Sequence, residues 1–227
     1  MNGITYTLSG TYTATLLNAA GCDSIITLNL TITQIAGTLN LRCFIEGYMD
    51  EANVLLMKPV LANQLQPTTL NACDTIKVEL HQSNAPYAML YSTKVVMNKS
   101  GFSTATFPPL NSNFYIVVKH RNAIETWSAT SVFFGATPVN YNFTNAASKA
   151  FGNNQTQTSP GVWALYSGDV NQDENVDLID LSLEESDIIN FSSGFLPTDV
   201  NGDGNVDLLE LPIIENNVFD FISVMHP

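Results

Sequence analysis

One acidic phrase is written twice in this chain. "DVNQDENVDLID" runs from Asp169 to Asp180, and "DVNGDGNVDLLE" returns thirty residues later, from Asp199 to Glu210. The second copy fits the calcium-loop pattern D-x-[DN]-x-[DN]-G-x5-E at every fixed position. Asp199, Asn201, Asp203, Gly204 and Glu210 fall at loop positions 1, 3, 5, 6 and 12, with the Asn205 carbonyl at 7 and Asp207 at 9. The spacing has a physical cause. Calcium takes about six to eight oxygens at about 2.3–2.6 Å, and a tight loop turns alternate side chains inward around it. The first copy offers Asp169, Asn171, Asp173, the Asn175 carbonyl, Asp177 and Asp180. It departs from the pattern twice. Glu174 stands where the turn wants glycine, in a left-handed conformation that costs other residues roughly 1–2 kcal/mol. The shorter Asp180 replaces the glutamate that offers two oxygens. Two calcium ions are expected, with the first site the weaker.

The charge distribution agrees. From Gly168 onward there are fourteen Asp and Glu and no Lys or Arg, a net of −14. The first 167 residues carry seven acids and eight bases, a net of +1, and the two parts sum to −13. Acids at that density repel one another unless cations neutralise them. They repel phosphate backbones too, so nucleic acid is an unsuitable partner. Helix text follows each loop. "LIDLSLEESDIINF" sets Leu178, Leu181, Glu185 and Ile188 at helical intervals, and "LLELPIIENNVFDF" does so with Leu208, Leu211, Glu215 and Val218. Pro212 is tolerable in a first turn. Val206, at loop position 8, is expected to point into the core and let the two loops meet backbone to backbone.

This duplicated loop–helix pattern, Gly168 to about Ser223, resembles the dockerin type I family. The resemblance implies a module that binds cohesin domains and tethers secreted enzymes, with hydroxyl residues at loop positions 10 and 11 contributing to recognition. Here those positions hold Leu178 and Ile179, and Leu208 and Leu209. The departure favours intramolecular packing of these side chains on the rest of the chain, which makes residues 168–227 a calcium-locked cap.

Residues 36–167 read as an antiparallel β-sandwich. "LNLRCFIEGYM", "ANVLLMKPV", "DTIKVELHQ", "TKVVMN", "STATFP", "FYIVVKH", "TSVFFG" and "VNYNFT" are short strand texts separated by turn residues, with no helical pattern between them. "FGNNQTQTSPG" reads as a surface loop. The richest polar text is "KHRNAIETWS", Lys119 to Ser128. It is either a loop facing a glycan or protein ligand, with Trp127 as platform and Arg121 and Glu125 as anchors, or an internal arrangement in which Arg121 pairs with Glu125 and Trp127 packs; the second is favoured. His81 and His120 lack the spacing of a metal pair. No nucleophile or zinc motif appears, so the domain is read as non-catalytic.

Residues 1–35 open with "TYTATLL", a turn at "NAAG" and "SIITLNLTI", a β-hairpin by its period-two alternation. The text "NGITYTLSGTYTATLLNAAGCDSIITLNLTI" resembles the second half of a repeat in giant surface adhesins of gliding Bacteroidetes. The resemblance implies a partial repeat, a chain cut from a longer protein, export by the type IX route, and a Cys22 whose partner lies in the missing half. Cys22 is therefore expected as a free thiol. Cys43 and Cys73 are expected to bridge, closing a loop of about thirty residues with about 3 kcal/mol of stabilisation, in an oxidising compartment. No apolar run approaches the eighteen or so residues of a membrane span. The expected whole is a mostly β, secreted or cell-surface chain ending in a small helical two-loop calcium module (dockerin- or EF-hand-like), structural or adhesive in role. The alternative is a docking or accessory module of a secreted glycoside hydrolase or peptidase, or a secretion-targeting region.

Overall fold

The computed structural model describes residues 4–17, 23–33 and 35–227, and the chain divides into two compact units, Met1–Ile35 and Ala36–Pro227. The first is a hairpin. Strand β1 (Gly10–Leu17) pairs antiparallel with β2 (Asp23–Leu30), from Gly10 opposite Leu30 to Leu17 opposite Asp23. A two-stranded sheet has no second layer to bury against, and its side chains stay largely exposed, Ile25 at 70%. Cys22 lies outside the described residues, and so does the expectation placed on it.

The second unit carries, in chain order, β3 (Gly37–Arg42), β4 (Met49–Asp50), β5 (Asn53–Met57), helix α1 (Val60–Asn63), β6 (Ala72–Gln82), β7 (Met89–Asn98), β8 (Phe102–Phe107), β9 (Ser112–His120), β10 (Ala123–Trp127), β11 (Val132–Phe134), β12 (Val139–Asn142), β13 (Thr156–Ser159), β14 (Val162–Ala164), α2 (Leu178–Ile189) and α3 (Leu211–Phe219). The main sheet runs β10-β9-β6-β7, with β11 also on β9, and a second sheet runs β12-β3-β8. Alternation builds the layers. Ile76, Val78 and Leu80 of β6 and Ile116 and Val118 of β9 share one core with Leu39 and Leu41 of β3 and Ala105 of β8. Each large side chain removed from water there contributes about 1.5–3 kcal/mol. The fold is mostly β, and among the described residues its strands pair antiparallel except β12 beside β3, with a parallel bridge also joining Ile45 and Leu165.

Four expectations are corrected in this unit. First, "KHRNAIETWS" is the end of β9, a tight turn and β10, not an open loop. Trp127 is packed, as the favoured internal reading has it, but the ion pairs differ: Arg121 Nη2 lies 2.8 Å from Asp74, and Glu125 pairs with Lys119. Arg121 sits in the turn between β9 and β10, where it reaches Asp74 of β6, while Glu125 on β10 meets Lys119 of β9. Second, "FGNNQTQTSPG" forms a short hairpin with β14 and buries Asn154 and Gln155.

Third, Cys43 and Cys73 are buried free thiols. Cys43 Sγ lies 3.5 Å from Met97 Sδ, and Cys73 Sγ lies 3.9 Å from Met57 Sδ. Each sulfur ends on a thioether and not on the other thiol, so the expected bridge is absent. Burial pushes the Cys43 thiol up to about 12 and that of Cys73 higher still, which leaves both protonated and inert. The residues' own argument for an oxidising compartment goes with the bridge.

Fourth, the residues set at helical intervals reach the core only in part, with Leu181 and Val218 packed half-buried on it. Asp180 and Glu184 of α2 and Ile214 and Asn217 of α3 are buried, while Leu178, Glu185, Leu208 and Glu215 are exposed. A small second core explains which residues turn inward: Val170, Val176, Val200 and Ile214 close on Ile124 of β10. Alternation within each loop aims the valines at that core, and the helix that comes next keeps their phase.

Candidate metal centre

Each acidic phrase folds into a loop that gathers three carboxylates. Oxygens of Asp169, Asp173 and Asp180 lie within 4.8 Å of one another, and so do oxygens of Asp199, Asp203 and Glu210. Backbone hydrogen bonds wind the loops. Asp169 Oδ1 accepts the N–H of Asp173 at 3.1 Å, and Asp199 Oδ1 accepts the N–H groups of Gly202 and Asp203 at 2.8 and 3.1 Å. The side-chain oxygens of Asn171 and Asn201 accept from Asp173 and Asp203, both at 2.8 Å. The N–H groups of Asn175 and Asn205 donate to Asp173 and Asp203 Oδ1.

The position-9 acids stand apart. Asp177 Oδ1 accepts from Ile179 N–H at 2.7 Å, and Asp207 Oδ1 from Leu209 N–H at 2.9 Å, so both carboxylates are turned to the start of the next helical turn. Asp177 is the N-cap of α2, in a capping box with Asp180. The last acids differ as well. Asp180 commits both oxygens to backbone, Oδ1 to Val170 and Asn171 and Oδ2 to Asp177. Glu210 commits Oε2 to Asp207 N–H and leaves Oε1 buried without a partner among the described residues.

The loops meet their neighbours in a reciprocal way that sequence spacing does not show. Val176 N–H donates to Ile222 carbonyl beyond α3, and Val206 N–H donates to Ser192 carbonyl beyond α2. Each loop therefore pairs with the segment leaving the other repeat's helix, not with the other loop. The position-8 valines do point inward, 2% and 3% exposed.

The donor chemistry fits a hard cation. Every converging ligand atom is oxygen, the type calcium takes. Burial, with the charge of Asp180 behind it, pushes Asp169 up to about 7. Burial likewise pushes Glu210 up to about 7 and raises Asp180 and Asp199. Buried carboxylates this close resist ionising side by side unless a positive charge joins them.

Three contributors escape the loop pattern. Glu184 of α2 is fully buried, neither carboxylate oxygen has a partner among the described residues, and burial followed by the charges of Glu210, Asp187 and Asp199 pushes it up to about 9. The only signal for it in the sequence is a glutamate on what proves to be the inner helical face. Loop position 4 adopts positive φ in both copies, Gln172 at 61° and Gly202 at 73°, alongside position 6 at 76° for Glu174 and 96° for Gly204. Gln64, beyond α1, donates from Nε2 to Asp199 Oδ2; no local pattern announces a partner 135 residues away.

The first-turn residues at loop positions 10 and 11 are exposed: Leu178 69%, Ile179 56%, Leu208 67% and Leu209 66%. They do not pack on the sandwich as expected. The inward valines and the last acids already occupy the inner side of each loop, which turns positions 10 and 11 outward.

Residues 167–219 match the dockerin type I domain. No curated protein sequence matches the chain. Among solved structures it is similar to an N-terminal interface mutant of a type II cohesin–X–dockerin complex from Acetivibrio cellulolyticus, at 13% identity and a TM-score of 0.47. It is also similar to a C-terminal interface mutant of that complex, at 12% identity and 0.45; each likeness covers 81% of this chain and 99% of the other.

Proposed function

We propose that residues 168–227 are a calcium-loaded docking module through which a larger secreted or surface protein is held to a cohesin-type partner. Asp169, Asp173 and Asp180 would hold the first ion, and Asp199, Asp203 and Glu210 the second, with Asn171, Asn201 and the carbonyls of Asn175 and Asn205 completing the oxygen sets. Bound calcium supplies the positive charge that offsets the clustered acids and fixes the helical turn after each loop. Residues 36–167 act as a non-catalytic companion. Its histidines are tied into internal contacts, His81 with Glu79 and the Tyr87 carbonyl and His120 with Asp74.

One observation carries the docking reading. Four large apolar side chains, a pair in each repeat, stand exposed directly behind the acidic loops. Apolar surface displayed twice on a calcium-braced scaffold suits a protein partner, since such groups gain only when another surface covers them. No hydroxyl residues occupy these positions, so the matching partner surface is apolar at its centre.

A second reading is favoured by specific hydrogen bonds. Lys58 Nζ donates to Asn201 carbonyl at 3.0 Å, Asn63 Nδ2 to Gly202 carbonyl at 2.8 Å and Asn122 Nδ2 to Asp199 carbonyl at 3.1 Å. The module is thus also a cap on residues 36–167, inner side on the sandwich and outer side free. An adhesive role rests on the resemblance of residues 1–35 alone and ranks below docking. The test is titration of the chain with purified type I and type II cohesin modules. Binding that chelator abolishes and that Leu208→Asp weakens by at least about tenfold supports docking, the loss expected for a central apolar anchor. No binding by any cohesin in calcium leaves only the cap.

A further inference from the structure

Half of the chain's eight Lys and Arg converge on one cleft, in a protein of net charge −13. The cleft, about 550 Å³, is lined by Lys77, Lys94, Lys119 and Arg121 from the sandwich and by Gln172 and Phe195 from the tail, and no acidic side chain lines it. Its floor has an unusual register. Lys77 on β6 stands directly opposite Lys94 on β7 and directly opposite Lys119 on β9. Three lysines therefore form a single row across adjacent strands. Ile76 and Val78 point into the core, so alternation sends Lys77 and its row outward. Like charges directly opposite in a sheet are destabilising, because their roots lie only about 4.5–5.5 Å apart.

Local acids offset part of this. Lys77 Nζ lies 2.5 Å from Glu79, and Lys119 pairs with Glu125. Lys94 forms no ion pair among the described residues, and its row has two acids for three ammonium groups. Arg121, bound to Asp74, stacks at 4.1 Å on the Phe195 ring, which closes the far wall.

We propose that this cleft binds an anionic oligosaccharide carrying carboxylate or sulfate groups. The row presents cations at the strand spacing, about 4.8 Å, and suits a stiff ligand with an acidic group on successive rings. Lysine, a compact point charge, accepts carboxylate and sulfate alike. Gln172 offers an amide for hydroxyl groups, and Phe195, 46% exposed, offers an apolar face for a ring. An acidic peptide fits less well. Lys77 and Lys119 sit on inner strands whose main-chain groups are already paired, so a peptide strand added at the sheet edge, β7, would lie beside Lys94 alone and away from the other two lysines.

The test is calorimetric titration of the full chain in saturating calcium, at about 50 mM and about 500 mM salt, conditions that differ several-fold in screening length. The probes are a galacturonate trimer, a sulfated tetrasaccharide, a neutral trisaccharide and a short polyglutamate. The expected result is binding of one or both acidic sugars, weakened at high salt and weakened about tenfold, near 1.4 kcal/mol, by Lys94→Glu. Whichever acidic sugar binds tighter assigns the anionic group. Lys94 is exposed, so an unchanged melting temperature verifies that the variant folds. Failure of both acidic sugars at low salt, equal binding of the neutral sugar, polyglutamate as the only binder, or wild-type affinity in Lys94→Glu would each overturn the proposal.

Discussion

The two acidic loops share eight of twelve residues, yet they sit in unlike surroundings. The loop at 199–210 is pressed onto the sandwich. Asp199, Asn201 and Gly202 are buried, and a Cβ at Gly202 would meet Val60 Cγ2 at 2.5 Å. One at Gly204 would meet Asn63 carbonyl oxygen at the same distance. The loop at 169–180 turns its middle to solvent, with Gln172, Asp173, Glu174 and Asn175 all exposed. Glycine at positions 4 and 6 thus does two things in the second loop: it permits the positive φ and lets backbone and core approach. The first loop adopts the same φ angles with Gln172 and Glu174, where there is room for side chains but strain in the backbone. A repeated phrase sets the ligand oxygens, and its non-repeated residues set which copy is held by the rest of the protein.

The sharpest way to break the comparison is to remove the first acid of each loop. Asp199→Ala deletes the acceptor of Gln64, Gly202, Asp203 and Gly204. It should abolish the tighter class of calcium binding and lower the melting temperature in calcium by several degrees, as loss of about 1–2 kcal/mol does in a domain of this size. Asp169→Ala should remove only the weaker class. Equal losses in calorimetry and melting would erase the distinction between the loops.

Glu184 offers the next largest effect. Its folded-state proton is held up to about 9, against an ordinary value of 4.5. A raised carboxyl pKa means that the folded, calcium-free form binds more protons than the unfolded chain between those limits, so stability falls as pH rises from about 4.5 to about 9. Asp169 and Glu210 act in the same direction up to about 7. Glu184→Leu should therefore raise calcium-free stability at pH 8 by about 2 kcal/mol, the scale of removing a buried, unpartnered carboxyl that must be kept protonated. It should also flatten the upper part of the pH profile, read by denaturant melts from pH 5 to 9. An unchanged profile would mean that Glu184 is paired in solution.

Smaller still is relief of strain in the first loop. Gln172→Gly with Glu174→Gly should tighten the weaker site by up to about tenfold, since each left-handed residue costs about 1 kcal/mol before glycine's extra chain entropy is subtracted. The tighter site should not respond. Unchanged affinity at the first site would show that Asp180, not the turn, limits it. The smallest expected effect is that of Gln64→Ala, a few-fold loss confined to the second site, from deleting one hydrogen bond of about 1 kcal/mol to Asp199.

How far these differences are legible in the sequence depends on range. The converging acids at loop positions 1, 5 and 12, the inward Val206 and the positive φ at Glu174 follow from local spacing, because a twelve-residue loop is wound by contacts within itself, whereas Asp177 and Asp207 turn to the backbone that follows them. The β character of 36–167 is equally local, since alternation at Ile76, Val78 and Leu80 reports a buried face directly. What escapes is set by partners far along the chain. Gln64 reaches Asp199, Arg121 reaches Asp74 across strands, and Met97 and Met57 occupy the places beside Cys43 and Cys73. The buried helix faces are legible only in part for the same reason. Helical spacing allowed Leu178 and Leu208 inward, and the small core around Ile124 turned Glu184 and Ile214 inward instead.

Calorimetric titration of the chelated full chain with calcium tests the central claim most directly. Two sites of unequal affinity are expected, and the tighter one alone should disappear in Asp199→Ala. Its filling should account for most of the rise in melting temperature, about 2.7 kcal/mol at a hundredfold excess over Kd. Magnesium, which prefers a smaller octahedral shell, should substitute poorly. Absence of calcium binding, or two equal sites lost together in Asp199→Ala, would contradict it.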